Sequence, residues 1–260
     1  MKYSQGIPLK KKYGQHFLRD SHIVQSMISA VDITTETSIF EIGCGDGFLT
    51  RAILDTSAAR VLVFEIDPEW AEYVKNALPD SRLHIIQDNF LEVNVPLILE
   101  QHKPWTVLAN LPYQVTFPIL HTFQENHHLL QEGVVMVQEE VAQKIVKQKG
   151  KGYGYSSLFF QHYFEWKLLD KIPPTAFYPP PKVFSRLLYF KPGKNIVAIP
   201  DEDMFWQFVK FCFKQPRRTL KNNLSQTHYK VEKIPAHIMA LRAQELSFQQ
   251  LLDIWQLLRS

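Results

Sequence analysis

The chain has 260 residues, 45% of them hydrophobic and 21% charged, enough to bury a sizeable core as one large domain or as one domain with a small appendage. Its longest uninterrupted apolar runs, such as 133-GVVMV-137, fall far short of the ~18 residues that span a bilayer, so no membrane partner is expected. The net charge is only +3, and Cys44 and Cys212 form no CxxC pair, which argues against a disulfide framework or a cysteine zinc site and fits a cytoplasmic location.

The N-terminal residues MKYSQGIPLKKKYGQ are basic but lack the apolar stretch and cleavage site of a secretory signal, so they are expected to stay in the final protein. Ile23, Val24, Met27, Ile28 and Val31 then recur at helical spacing after Asp20, a good N-cap. A strand at 38-SIFEI-42 runs into a glycine loop, a helix starts near Phe48, and a second strand covers 60-RVLVFEI-66. Asp67 caps the next helix, with Pro68 at its first position, where a missing N–H costs nothing. Strands at 83-LHIIQ-87, 105-WTVLA-109 and 133-GVVMV-137 follow, separated by helical stretches. This alternation predicts an α/β fold, a mostly parallel sheet with helices on both faces.

Beyond residue 150 the texture changes. GKGYGYSS reads as a flexible loop, 164-FEWKLLDKI-172 and 182-KVFSRLLYF-190 as strands, and 191-KPGKNIVAIP-200 as a linker. From Asp201 the spacing of Phe205, Phe208, Val209 and Cys212, then of Leu251, Leu252, Trp255 and Leu258, predicts a small all-helical domain. The expected division is 1–195 and 196–260.

Chemistry concentrates at strand ends. The first strand leads into Glu41-Ile-Gly43-Cys-Gly45-Asp-Gly47, where glycines permit a tight turn and close backbone approach by a ligand. The spacing is GxGxG rather than GxGxxG, which weakens a dinucleotide reading. Glu65 ends the second strand beside Ile66, placed to accept hydrogen bonds from a ribose diol, and Asp88 ends the third beside Asn89. Such acids also cap helices, as Asp67 does, but with the glycines they outline a nucleoside pocket. The pattern resembles class I S-adenosylmethionine-dependent methyltransferases, which implies a Rossmann-like sheet, Glu65 on the ribose and Asp88 at the adenine amine.

At the end of the fourth strand stands Asn110-Leu111-Pro112-Tyr113. Asn110 offers a side-chain carbonyl beside the proposed cofactor, and Leu111 a backbone carbonyl before a turn fixed by Pro112. Two acceptors drawing on the hydrogens of a nucleobase amine would favour a pyramidal nitrogen with its lone pair free to attack. Tyr113 supplies a flat face for the base, and Phe177 is expected to close the other face. An isolated tetrapeptide of this kind could equally be a strand-ending turn with a core tyrosine.

Basic residues are bunched. Residues 2 to 19 hold Lys2, Lys10, Lys11, Lys12 and Arg19 without an acid; residues 210 to 233 hold Lys210, Lys214, Arg217, Arg218, Lys221, Lys230 and Lys233 against Glu232 alone. Either run suits a solvated helix face, but two in one chain favour a polyanion such as nucleic acid. The ten histidines show no ligand spacing, and no metal is expected.

The stretches 12-KYGQHFL-18, 41-EIGCGDG-47, 65-EID-67, 87-QD-88, 110-NLPY-113, 152-GYGYSSL-158, 176-AFYPPPKVFS-185 and 213-FKQPRRTLKNNL-224 together resemble the small-subunit ribosomal RNA adenine dimethyltransferase family (RsmA/KsgA type) over essentially the whole chain. The resemblance implies dimethylation of two adjacent adenosines in a hairpin loop near the 3′ end of 16S rRNA, within an assembling 30S subunit. It implies S-adenosyl-L-methionine as donor, S-adenosylhomocysteine as product, and a monomeric enzyme. By position Gln15, His16 and Leu18 would close over the cofactor, Gly43, Gly45 and Gly47 would hold its methionine part, and Glu65, Ile66, Asp88, Asn89 and Asn110 would complete the pocket. Asn110 to Tyr113 and Phe177 would hold the target base. The basic residues Lys10, Lys11, Lys12, Lys214, Arg217, Arg218 and Lys221 would bind RNA, the last four on a C-terminal helix. The chain departs from the family in His16 (usually Asn), Cys44 (usually Pro), Phe184 (commonly an acid) and Pro216 within the arginine-rich run. A related large-subunit or other amine methyltransferase and a non-catalytic RNA-binding assembly factor remain as rivals.

Overall fold

A computed structural model describes residues 3–259 and resolves two compact units. One runs through Ala142 and resumes over Phe164–Pro192; the other comprises Gln143–Tyr163 and the chain from Gly193 onward. The segment 143–163, which the division at residue 195 assigns to the larger domain, thus groups with the C-terminal unit.

In the first unit two short ribbons precede the main sheet. β1 (Tyr3–Ser4) pairs antiparallel with β2 (Ile7–Pro8), and β3 (Phe17–Leu18) pairs antiparallel with β10 (Phe177–Tyr178). The seven-stranded sheet contains β4 (Ser38–Ile42), β5 (Arg60–Phe64), β6 (Leu83–Ile86), β7 (Trp105–Asn110), β8 (Leu130–Gln138), β9 (Phe164–Ile172) and β11 (Ser185–Pro192), in the order β6-β5-β4-β7-β8-β11-β9. The first five are parallel, and β11 runs antiparallel to both β8 and β9. The central strands are buried almost throughout, as a sheet covered on both faces requires. Edge strand β9 instead leaves Glu165, Lys167, Asp170 and Lys171 exposed, blunting its free edge with charge.

Alternation along each strand sorts the core into two layers. Ile39, Val61 and Val63 face α1 (Ser21–Ser29), α2 (Phe48–Leu54) and α3 (Pro68–Ala77), packing on Val24, Met27, Ile53 and Val74. Phe40 and Phe64 point the other way, into an aromatic layer with Phe90, Trp105 and Phe123; the last lies on α5 (Thr116–Glu125), which follows the short α4 (Val95–Leu99). Each such large side chain contributes roughly 1.5–3 kcal/mol of burial. Asp20 and Asp67 cap α1 and α3 as expected, accepting from His22 N at 3.0 Å and Glu69 N at 3.2 Å.

The sheet order reverses between β4 and its two neighbours, with β5 on one side and β7 on the other. Ligands of open α/β sheets sit outside the carboxyl ends of the strands at such a point. The glycine loop, Glu65 and Asn110 all lie there.

The strand expected at 182–190 is β11, shifted to Ser185–Pro192. Val183 and Phe184 are exposed and follow a proline run, so pairing starts only where Ser185 meets Gln138, and it continues through residues that read as linker. β9 occupies the expected residues.

In the C-terminal unit, α6 (Glu139–Ile145) enters from the sheet unit, and α7 (Tyr155–Tyr163) starts inside GKGYGYSS, so Tyr155 to Ser157 are helical rather than loop. Ser157 is buried and donates to the Lys144 carbonyl at 2.6 Å, which fixes that start. The remaining helices are α8 (Glu202–Cys212), α9 (Leu220–Leu224), α10 (Ala236–Met239) and α11 (Phe248–Arg259). Phe208 of α8 stacks on Trp255 of α11 at 5.8 Å, and Trp255 Nε1 donates to the Pro200 carbonyl at 2.7 Å. Residues 213–219 are a turn, not part of a basic helix. Pro216 breaks the helical run, and the buried Asn223 side chain holds the turn by accepting from Gln215 N at 3.1 Å and donating to the carbonyls of Cys212 and Gln215 at 2.9 and 3.1 Å.

Candidate active site

Glycine decides the shape of the loop after β4. Gly43, Gly45 and Gly47 adopt φ of +75°, +53° and +79°, a region L-residues enter at a cost. Each has a different neighbour. A Cβ on Gly43 would project into open space, one on Gly45 would lie 2.7 Å from the Phe17 ring, and one on Gly47 would press on Val74 and Leu78. Gly43 and Gly45 therefore line a cleft, while Gly47 serves packing of α2 on α3.

Glu65 is buried below this loop. Its Oε1 accepts from Asp67 N at 2.8 Å and its Oε2 from Gly45 N at 3.1 Å and Cys44 Sγ at 3.6 Å. Burial pushes its carboxyl pKa up, and the Asp67 and Gly45 N–H groups pull it back. Ile66 beside it is 43% exposed, an apolar side chain left uncovered at a strand end. Ile66, Gly43, Asp88 and Asn89 line a cleft of about 270 Å³. It shares Gly43, Ile66 and Pro112 with a narrower cleft of about 100 Å³ lined by Gln15, His16, Leu18, Glu65, Asn110 and Tyr113. Asp88 is exposed, with Oδ1 accepting from Asn89 N at 2.7 Å; Asn89 spends its own amide on Leu91 N and Glu92, capping the turn.

The N-terminal segment is tied over these clefts by charge. Lys10 Nζ meets Asp67 Oδ1 at 2.6 Å and also pairs with Glu69, which drives the Lys10 pKa up. Gln15 donates to Asp67 Oδ2 at 3.2 Å and accepts from Lys10 N at 2.8 Å. Arg19 pairs with Asp46 of the glycine loop at 2.5 Å, and Ser4 bonds both, to Asp46 at 3.1 Å and from Arg19 at 2.9 Å. Lys12 lies 4.5 Å from the Tyr13 ring, and the side chain of Lys11, like all of Lys2, falls outside the described residues.

At the end of β7, Asn110 Nδ2 donates to the backbone carbonyl of His16 at 3.1 Å, which fixes the amide and turns Oδ1 away from that bond. Leu111 N is anchored on the Met136 carbonyl at 3.1 Å. Within this turn the Pro112 carbonyl takes the bonds from Val115 N and Thr116 Oγ1, at 3.2 and 3.1 Å; among the described residues none ends on the Leu111 carbonyl. The Tyr113 hydroxyl bonds Ser185 Oγ, and burial raises its pKa. His16 Nδ1 contacts the Pro179 carbonyl at 2.6 Å, and the His16 ring lies nearly parallel to Tyr113, with centroids 6.0 Å apart.

Phe177 departs from its expected place. It is 4% exposed and packs in the core with Leu18, Ile172, Ala176 and Leu187, because the β10 alternation turns Phe177 inward and Tyr178 outward. The ring beside Tyr113 is that of His16. Lys214, Arg217 and Arg218 are exposed on the 213–219 turn and Lys221 on α9, in the other unit.

Glu41 was not among the expected site residues. It is 1% exposed, lines the narrow cleft, accepts from Thr50 Oγ1 at 2.6 Å, and is pushed by burial to a pKa of about 8. Its signal is a lone charge inside the apolar strand SIFEI. Arg19, Ser4 and Asp46 carry no comparable signal, since their partnership spans 15 to 42 residues of chain.

The family described as ribosomal RNA adenine dimethylase matches residues 7–260. A Ribosomal RNA small subunit methyltransferase A from Chlorobium phaeobacteroides is 36% identical over 97% of this chain and 92% of its own, and one from Streptococcus pyogenes is 34% identical over 90% and 82%. Among solved structures, a dimethyladenosine transferase from Plasmodium falciparum superimposes with a TM-score of 0.78 over 92% of this chain and 96% of its own, at 20% identity. The 23S rRNA methyltransferase ErmE superimposes with a TM-score of 0.71 over 94% and 100%, also at 20% identity; these two likenesses establish the class I methyltransferase fold. The chain belongs to the ribosomal RNA adenine dimethylase family.

Proposed function

We propose that the protein, a cytoplasmic monomer, transfers methyl groups from S-adenosylmethionine to the exocyclic amines of two adjacent adenosines in a hairpin loop near the 3′ end of 16S rRNA, on an assembling 30S subunit. The observation that carries this reading is the Asn110 amide, pinned by the His16 carbonyl so that Oδ1 is left for a substrate donor, at the strand end that borders the Gly43–Glu65 cleft. The donor fits the residues present. Gly43 leaves open the volume a Cβ would fill, Ile66 offers an uncovered apolar face, and Glu65 and Asp88 supply acceptors on either side. Gly43 and Gly45 would hold the methionine part, Glu65 the ribose hydroxyls and Asp88 the adenine amine. Bound there, the cofactor supplies an electrophilic sulfonium methyl.

The chain's own residues do the rest. Tyr113 holds the base by its face, with its hydroxyl fixed to Ser185 so that the ring cannot swing. Asn110 Oδ1 and the Leu111 carbonyl accept the two amine hydrogens, which withdraws the nitrogen lone pair from the ring and aims it out of plane. Positioning of this kind accounts for several kcal/mol of barrier, up to roughly 7–11 in the best cases. No strong base is needed, because the nitrogen turns acidic as it attacks. An adenosine held by its face and its amine at the end of β7 must be unpaired or extruded to reach these groups.

The test is incubation with labelled S-adenosylmethionine and undermethylated 30S particles, followed by mapping. Label on two adjacent adenosines is expected; label confined to 50S particles or to protein, or none in any RNA, would overturn the proposal.

A further inference from the structure

Two rings that line the narrow cleft, those of His16 and Tyr113, lie nearly parallel, with an interplanar angle of 23° and centroids 6.0 Å apart. Both belong to the first unit, and both are half-buried, so neither is closed into the core. Each is braced by a hydrogen bond. The Tyr113 hydroxyl bonds the buried Ser185, and His16 Nδ1 meets the Pro179 carbonyl at 2.6 Å. Since a carbonyl can only accept, Nδ1 carries the hydrogen, and this bond sets the plane of the imidazole. The His16 backbone has a separate task, because its carbonyl accepts from Asn110 Nδ2 at 3.1 Å.

We infer that the His16 imidazole is the second wall of a slot for the target base, so that the adenine lies between it and the Tyr113 ring. An extruded base loses the stacking it had on both faces inside the RNA, and a ring on each side restores both. Holding a third ring takes roughly 7 Å, two van der Waals contacts of ~3.5 Å, so the present separation of 6.0 Å calls for an opening of about 1 Å. Wall and acceptor are linked through one residue: the His16 ring faces the base while the His16 carbonyl directs the Asn110 amide, whose Oδ1 meets the amine at the base's edge. Phe177, expected in this role from its place in the proline-rich loop, is turned into the core with Leu18 and Leu187. His16, expected to close over the cofactor, has Nδ1 engaged by Pro179 and its ring beside Tyr113. The inference rests on the adenosine substrate proposed above.

The test is single-turnover methyl transfer, with undermethylated 30S particles and S-adenosylmethionine saturating, in the full-length wild type, His16→Ala, His16→Leu, His16→Phe and Phe177→Leu. Removing one stacking face is expected to slow transfer by about 5–100-fold in His16→Ala and His16→Leu. His16→Phe should recover most of the loss, a rescue by a flat ring that a merely structural role would not give. S-adenosylmethionine affinity by calorimetry should stay within about threefold of wild type in all three His16 variants. Phe177→Leu should lower the melting temperature and slow saturated transfer less than His16→Ala does. Wild-type transfer in His16→Ala, a Phe variant no faster than the Leu variant, or a cofactor affinity lost with saturated transfer intact would overturn the inference. A synthetic RNA hairpin with 8-azidoadenosine at the target position reads the wall without any substitution. Photo-crosslinks at His16 and Tyr113 are expected, and a crosslink at Phe177 in place of His16 would overturn the inference. Because the crosslink needs no turnover, adducts at His16 in a wild-type protein that transfers no methyl would leave the slot standing and refute the enzyme; methyl transfer with the adduct at Phe177 would do the reverse.

Discussion

Lys10 and Arg19, near the N-terminus, each end on a carboxylate, Asp67 and Asp46, whose side chains are almost fully buried. Lys210, Lys214, Arg217, Arg218 and Lys221 of the C-terminal unit are exposed, and among the described residues none is in an ion pair. Both stretches are equally rich in cations, so bunched charge alone does not identify a partner. What differs is the supply of acids: Asp46 follows β4 and Asp67 follows β5, both at the strand ends over which the N-terminal segment passes, and residues 210 to 233 hold Glu232 alone. One set of charges holds the protein to itself around the cleft beside the glycine loop; the other stays exposed.

Separating the two roles by substitution sharpens the comparison. Arg19→Gln removes the charge that bridges the N-terminal segment to the glycine loop. The pair is partly exposed, so its loss is discounted for screening, and S-adenosylmethionine affinity should fall by about 5–10-fold with the salt slope of 30S binding unchanged. Calorimetry and a salt series together read both; a fall in slope with intact cofactor affinity would mean that the two basic runs do the same work.

Glu41 gives a second, smaller contrast, a buried carboxyl whose partner is the Thr50 hydroxyl and not a cation. Its folded-state pKa of about 8 lies above the ordinary value of 4.5, so the native state binds the extra proton. Between those two pH values stability should fall as pH rises, with the full penalty present above about pH 8. Glu41→Gln should flatten that decline, raising the melting temperature at pH 8.5 by roughly 2–4 °C per kcal/mol recovered while changing little near pH 4.5. Parallel pH profiles for variant and wild type would show that Glu41 is already ionised in the fold. The smallest effect belongs to Lys10→Ala. Asp67 keeps Gln15 and its helix cap, so cofactor affinity should weaken by only ~2–5-fold.

The parts of the fold set by local chemistry were readable in advance. Asp20 and Asp67 cap helices where expected, the glycine loop sits at the carboxyl end of β4, and β9 keeps its predicted residues. The parts that depend on contacts distant in sequence were not. Lys10 finds Asp67 across 57 residues, and nothing near Lys10 announces it. Phe177 reads as an available ring in a proline-rich loop, yet pairing of β10 with β3 decides which of Phe177 and Tyr178 turns inward. The 213–219 turn looked helical because its buried organiser, Asn223, is an amide whose four hydrogen bonds exist only after the chain has folded back. Of the site, Asn110 and Tyr113 were legible as a motif, but the His16 carbonyl that orients Asn110 lies 94 residues away.

The paired acceptors at the end of β7 are tested most directly by single-turnover methyl transfer in Asn110→Ala with cofactor and 30S particles saturating. Transfer slowed by about 10²–10³-fold, with 30S affinity within about threefold of wild type, is the predicted result. Transfer at the wild-type rate would contradict it.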